Sequence, residues 1–164
     1  MWLVNTLIVF GSFLSMEAVA WIAHKYLMHG LLWALHEDHH KKNPGSFFEK
    51  NDYFFLIFAL PGIACLALGI YTDLRPLLYV GSGITLYGFA YFMVHDVFIH
   101  QRFKILRNAD NVYFKAIRRA HKMHHKHLGK EDGECFGMLF VPLRYFREAA
   151  KLKSDTADKK SANA

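Results

Sequence analysis

The sequence predicts an all-α integral membrane protein, a helix bundle with about three spanning helices and a histidine-rich cap on the cytoplasmic side. Three observations predict it. Three apolar runs, at 2–23, 53–72 and 77–94, each approach or reach the length a helix needs to cross a bilayer, and Glu17 is the one charge among them. Lysine and arginine crowd between runs one and two and again after run three, while the short link between runs two and three holds only Arg75, beside Asp73. Ten of the eleven histidines fall into four tight clusters, which begin where runs one and three end.

The composition agrees. A chain of 164 residues suits one domain, and 53% of it is hydrophobic and 16% aromatic. Its charges come in blocks and not in the regular mixture of a soluble amphipathic fold. The formal net charge is +6, and the basic excess sits beside the apolar runs. It reads as a topological signal, a contact with anionic lipid or a docking patch for an acidic electron carrier, not as a nucleic-acid surface.

The first run, WLVNTLIVFGSFLSMEAVAWIA, has no Lys or Arg before it, and the first is Lys25. A secretory leader would start with a basic segment, so this run is expected to be a retained span. NPGS at 43–46 signals a turn. The second run contains Pro61, a candidate kink, and the link TDLRP at 72–76 leads to the third. A hydrophilic stretch follows from His95 to about Lys130. CFGMLFVPLRYF at 135–146 is too short to span and is expected to pack on the bundle or lie at the interface. Residues 153–164 lack apolar periodicity and read as a disordered basic tail, which leaves 1–152 as the membrane-embedded domain. Cys65 and Cys135 belong at different depths, so no disulfide is expected between them.

Parity links topology to chemistry. With three spans, all four histidine clusters fall on one side of the membrane, and the basic residues place that side in the cytoplasm. The clusters are His24 with His29, His36 with His39 and His40, His95 with His100, and His121 with His124 and His125. Each half of the chain thus supplies an x4 pair followed by an x2 triple. Positions i, i+3 and i+4 share a helix face, so each triple is expected to converge on one point. The x4 pairs are different, because i and i+5 lie about 140° apart on an ideal α-helix. Both can face one site only if the helix ends, tightens or bulges between them, and Gly30 after His29 suits such a break. Ten imidazoles exceed the needs of one ion and suit two, and imidazole favours Fe, Zn, Cu and Ni. His127 is rotated off the face of His121 and His125 and reads as a surface residue.

Four acids accompany the clusters. Glu37, Asp38 and Asp96 either accept the second N–H of a ligand imidazole or are solvated acids at the interface. Glu17 lies seven residues before His24, on nearly the same face and about two turns deeper. It either supports the site or its cavity, or bonds a neighbouring helix.

The pattern W-x2-H-x4-H-G-x2-W-x2-H-x2-H-H fits Trp21, His24, His29, Gly30, Trp33, His36, His39 and His40. With HDVFIHQRF at 95–103 and RAHKMHH at 119–125, it resembles the bacterial β-carotene hydroxylases of the membrane fatty acid hydroxylase superfamily, over roughly residues 15–147. That resemblance implies a non-haem di-iron site formed by the ten clustered histidines, in which zinc could substitute in a purified sample. It implies hydroxylation of carbon 3 of the β-ionone rings, giving β-cryptoxanthin and then zeaxanthin, with O2 and a ferredoxin-type electron donor. It implies the inner membrane of a bacterium, with β-carotene or a related carotenoid reaching the site from the lipid bilayer. No role falls on His127. Two other readings stay open from the residues: a fatty acyl, sphingolipid or sterol hydroxylase of the same superfamily, and a histidine-rich metal-binding or transport protein. A transporter would place its ligands near the middle of the bilayer, not beyond the ends of the spans. The spacing leaves open which histidine serves which metal.

Overall fold

The structure is a computed structural model and describes residues 1–41, 46–106, 108–109, 111–131 and 133–162. The expected NPGS turn falls mostly outside these residues. Among the described residues the regular elements are all helices, three of them long and apolar enough to cross a membrane: Trp2–Leu31, Lys50–Tyr71 and Pro76–Ile99.

The first span begins as α1 (Trp2–Ile22) and continues without a break as a π-helix, π1 (Ala23–Leu31). The chain leaves the helical path at Gly30 (φ −125°, ψ −109°), and the short α2 (Trp33–His40) starts just beyond. A 3₁₀ turn (Lys50–Asp52) leads into α3 (Tyr53–Tyr71), which carries Pro61 inside a single continuous helix. The third span is α4 (Pro76–Phe92) followed by a second π-helix, π2 (Met93–Ile99). Pro76 starts α4 at a position where a missing N–H costs nothing.

α4 is the middle of the bundle and packs against both α1 and α3. Small residues let the backbones meet, as is usual where lipid supplies no hydrophobic drive between helices. A Cβ on Gly83 would lie 2.5 Å from the Val9 carbonyl oxygen, and one on Gly81 would lie 2.9 Å from that of Gly62. The outward faces are apolar and exposed, with Leu7, Phe10 and Leu14 on α1, Phe55, Leu60 and Ile63 on α3, and Leu86 and Phe89 on α4. Such a surface is stable only against lipid or another apolar layer.

The cap lies at one end of the bundle. Asn111 caps α5 (Val112–His124), its side-chain oxygen accepting from the Phe114 amide at 2.8 Å. α5 packs on α6 (Leu143–Ala162) through Ala116, Ala120, Tyr145 and Ala149. Of the segment at 135–146, expected to pack on the bundle or lie at the interface, an irregular strap through 134–140 buries Phe136 and Met138, and Leu143–Phe146 starts α6. The tail expected to be disordered is helical through Ala162. The first turns of α6 are anchored by Tyr145 and Ala149, and the helix then propagates into the tail without a new nucleus. Cys65 on α3 and Cys135 on the strap are free thiols.

Candidate metal centre

The two π-helices solve the problem posed by the x4 pairs. In a π-helix the amide of residue i+5 bonds the carbonyl of residue i, so the two are stacked one turn apart. The His100 amide bonds the His95 carbonyl in this way at 2.9 Å. His24 and His29 lie within π1, and their rings sit 5.1 Å apart. A widened helix thus turns both members of each pair to one side.

The ten clustered histidines form two groups at the same end of the bundle. His24, His29, His36, His40 and His124 bring ligand atoms within 4.8 Å of one another, as do His39, His95, His100 and His121. His125 adjoins the second group, its Nε2 lying 2.8 Å from His121 Nε2. Neither triple converges on a single point, contrary to the expectation from helix faces. His36 and His40 join one group while His39 joins the other, and His124 crosses in the opposite direction. The geometry explains the split. Residues i and i+4 are about 40° apart around the axis, but i+3 and i+4 are about 100° apart, enough to address two neighbouring centres. Each half of the chain therefore builds most of one cage and lends its middle histidine to the other.

Hydrogen bonds to Nδ1 fix the tautomers. His24 donates to the Phe136 carbonyl at 3.0 Å, His29 to that of Leu128 at 2.9 Å, and His124 to that of Glu134 at 3.0 Å. His36 donates to Asn51 Oδ1 at 2.7 Å, His39 to the Glu49 carboxylate at 2.9 Å, and His95 to that of Asp96 at 3.1 Å. All six acceptors lack a proton to give, so Nε2 of each neutral ring presents a lone pair. Yet the Nε2 atoms of His24 and His36 lie 3.0 Å apart, and those of His29 and His124 lie 3.2 Å apart. Facing lone pairs at this distance repel unless a cation lies among them. Protonation does not relieve the conflict, because burial pushes His36 down to about 3 and His124 down to about 2. His39 is also held well below the usual imidazole range, mainly by burial, and its Nε2 is buried without a hydrogen-bond partner. This donor set fits a pair of metal ions, and its all-imidazole chemistry suits first-row transition metals.

The four acids divide. Glu17 is buried inside the bundle, where its Oε1 accepts from the amides of Met138, Leu139 and Phe140 at 2.9–3.1 Å and its Oε2 accepts from the Tyr87 hydroxyl at 2.6 Å. It bonds a neighbouring helix and also holds the strap whose carbonyls orient His24 and His124. Asp96 accepts from His95 and from Arg102. Glu37 instead pairs with Lys41 on the surface, and Asp38 accepts from the Lys50 amide. His127 belongs to neither group.

Sequence reasoning missed Glu49, Asn51, Asp52 and Arg102. Asp52 takes both terminal nitrogens of Arg102 at 2.7 and 2.8 Å, and Arg102 in turn reaches Asp96 at 3.1 Å. One signal was present: the polar run EKND stands directly before the second span, on the histidine side. The carbonyls of Leu128, Glu134 and Phe136 carry no sequence signal, since any residue supplies one.

The family model for fatty acid hydroxylase matches residues 9–144. A β-carotene hydroxylase of Pantoea ananas is 43% identical over 142 residues, which cover 87% of this chain and 80% of that protein. One from Paracoccus sp. (strain PC1) is 34% identical over 151 residues, covering 91% and 88%. The chloroplastic β-carotene hydroxylase 1 of Capsicum annuum is 41% identical over 138 residues, covering 82% of this chain but 43% of the longer plant protein. No solved structure matches. The matched stretch contains both histidine groups, the second and third spans and all but the first turns of the first span, and the chain belongs to the fatty acid hydroxylase family.

Proposed function

We propose that this chain is a membrane di-iron oxygenase that hydroxylates carbon 3 of the β-ionone rings of β-carotene, giving β-cryptoxanthin and then zeaxanthin. The observation that carries the reading is the pair of crossed histidine cages at one end of a lipid-facing bundle. The relatives named as β-carotene hydroxylases supply the substrate. Residues 1–152 form the catalytic unit, embedded in the inner membrane of a bacterium. The cages face the cytoplasm, since Arg75 is the one basic residue in the link at the other end of the bundle.

His24, His29, His36, His40 and His124 hold one iron, and His39, His95, His100, His121 and His125 hold the other. Iron held by such imidazoles supplies the O2 chemistry needed to oxidise an unactivated C–H bond. Overall, one oxygen atom replaces a ring hydrogen as hydroxyl, and the other leaves as water with two electrons and two protons. The electrons come from a ferredoxin-type donor.

The chain's own residues do the positioning. The anchored Nδ1 hydrogens stop the rings from rotating, so the lone pairs stay aimed without a reorganisation cost. Glu17 and Tyr87 pin the strap over the first cage. Phe136 packs against His24, His29 and His124 at 5.3–5.6 Å between ring centres and keeps water from that side. The carotenoid dissolves in the bilayer, so its ring reaches the cages while the polyene stays in lipid. Of the aromatic residues in spans two and three, Phe54 lies 6.2 Å from His36 and Tyr91 5.0 Å from His95, whereas Phe55 and Phe89 face outward.

The test is expression in a bacterial host that accumulates β-carotene, with pigments separated by chromatography. Zeaxanthin and cryptoxanthin should form with the native chain and be absent with His36→Ala. Unchanged β-carotene from an inserted, iron-loaded and reductant-supplied protein would move the substrate to a fatty acyl, sphingolipid or sterol.

A further inference from the structure

The two cages differ in how their rings are anchored. In the first, all four anchored rings donate to neutral acceptors: three backbone carbonyls and the Asn51 side chain. The Nδ1 of its fifth ring, His40, is buried without a partner. In the second, His39 and His95 donate to carboxylates, those of Glu49 and Asp96.

These two carboxylates are locked in place by one network. Glu49 and Asp52 form a reciprocal capping box at the start of the Lys50–Asp52 turn. Asp52 is forked to Arg102, and Arg102 also holds the second oxygen of Asp96. Asp52 and Asp96 thus share the Arg102 guanidinium beside the second cage, with Glu49 tied in through Asp52, and no charged group anchors a ring of the first among the described residues.

We infer that Glu49 and Asp96 are positioning residues that make the cage around His39, His95, His100 and His121 the tighter of the two metal sites. The inference rests on the dinuclear reading above. A carboxylate on Nδ1–H pushes electron density through the ring and makes Nε2 the better donor. The carboxylates beside that cage also favour a divalent ion directly, while the described anchors of the first cage are dipoles. Metal therefore enters the second cage first and leaves the first cage first. Partial loading leaves a chain with one ion, in the carboxylate-anchored site.

The experiment uses the full chain in detergent, stripped of metal by a chelator and titrated with Co2+ against a chromophoric competitor. Binding and the visible bands of the bound ion are read together. Two steps separated by roughly tenfold or more in affinity are expected. Glu49→Gln keeps an acceptor oxygen and the cap but removes the charge. It should weaken the tighter step by about tenfold and leave the weaker step unmoved. Asn51→Asp gives His36 a carboxylate and should tighten the weaker step, a gain that a misfolded variant cannot mimic. Two ions of equal affinity, or a Glu49→Gln effect on the weaker step, would overturn the inference while leaving the dinuclear reading intact. Fewer than two ions bound by the native chain at saturation would overturn both.

Discussion

Replacing Glu17 by alanine removes an acceptor shared by two distant parts of the chain. Three backbone amides of the strap and the Tyr87 hydroxyl all end on its carboxylate, inside the bundle. Hydrogen bonds to a charged group are worth about 1.5–3 kcal/mol each. Four of them would rival the stability of a whole domain, about 5–15 kcal/mol, so they cannot add in full. The strap will instead lift until its amides meet water, and the cost stops at the free energy of docking it. Lifting carries away the Phe136 and Glu134 carbonyls, which hold His24 and His124. Loss of such supports costs about 10–100-fold in metal affinity. Glu17→Ala should therefore lose metal from one cage on dialysis and expose the strap to limited proteolysis, with hydroxylated pigment falling in parallel. Glu17→Gln keeps an oxygen for the amides and should retain most of the metal. Retention of full metal content and strap protection in Glu17→Ala would refute the reasoning.

Other outcomes follow from the same geometry. His124→Ala should abolish hydroxylation as His36→Ala does, whereas His127→Ala should leave the pigment profile near normal, because His127 stands outside both groups. Gly83→Ala should lower thermal stability by about 1–3 kcal/mol, since its Cβ meets the Val9 carbonyl oxygen, while Gly88→Ala meets nothing within 4 Å and should be neutral. The metal-free protein should unfold more readily at pH 5.5 than at pH 7.5. Burial holds His36 at about 3, His124 at about 2 and His125 at about 4, below the roughly 6.5 of a free imidazole. The unfolded chain then takes up protons first, so stability falls as pH drops below about 6.5 and is flat above it; thermal scans of the chelated protein at the two pH values read the difference.

Much of this was legible in the residues. The spans appear close to where their apolar runs stand, because a bilayer admits few alternatives to a long apolar helix. The x4 spacing of His24–His29 and His95–His100 demanded a departure from α-geometry, and both pairs sit at π-helices. The crossing of His39 and His124 was not legible. Sharing a helix face permits convergence, but a single face about 100° wide also serves two adjacent centres, and only the relative placement of α2 and α5 decides. Glu49 and Asn51 were hidden for a related reason. They lie next to the histidines in space but come after the NPGS stretch in sequence, and one ordinary acid and one amide before a span look like interface residues. The lack of apolar periodicity in residues 153–164 says nothing of helix propagated from the α5–α6 contact.

The most direct measurement is the origin of the product's oxygen. Purified protein, loaded with Fe2+ and supplied with β-carotene in lipid and a reduced ferredoxin-type donor, would react under 18O2, with products read by mass spectrometry. The account predicts one labelled oxygen per hydroxyl, located at carbon 3 of the ring, and none when His39 or His124 is replaced by alanine. Hydroxyl oxygen drawn from water, or label retained in those variants, would contradict it.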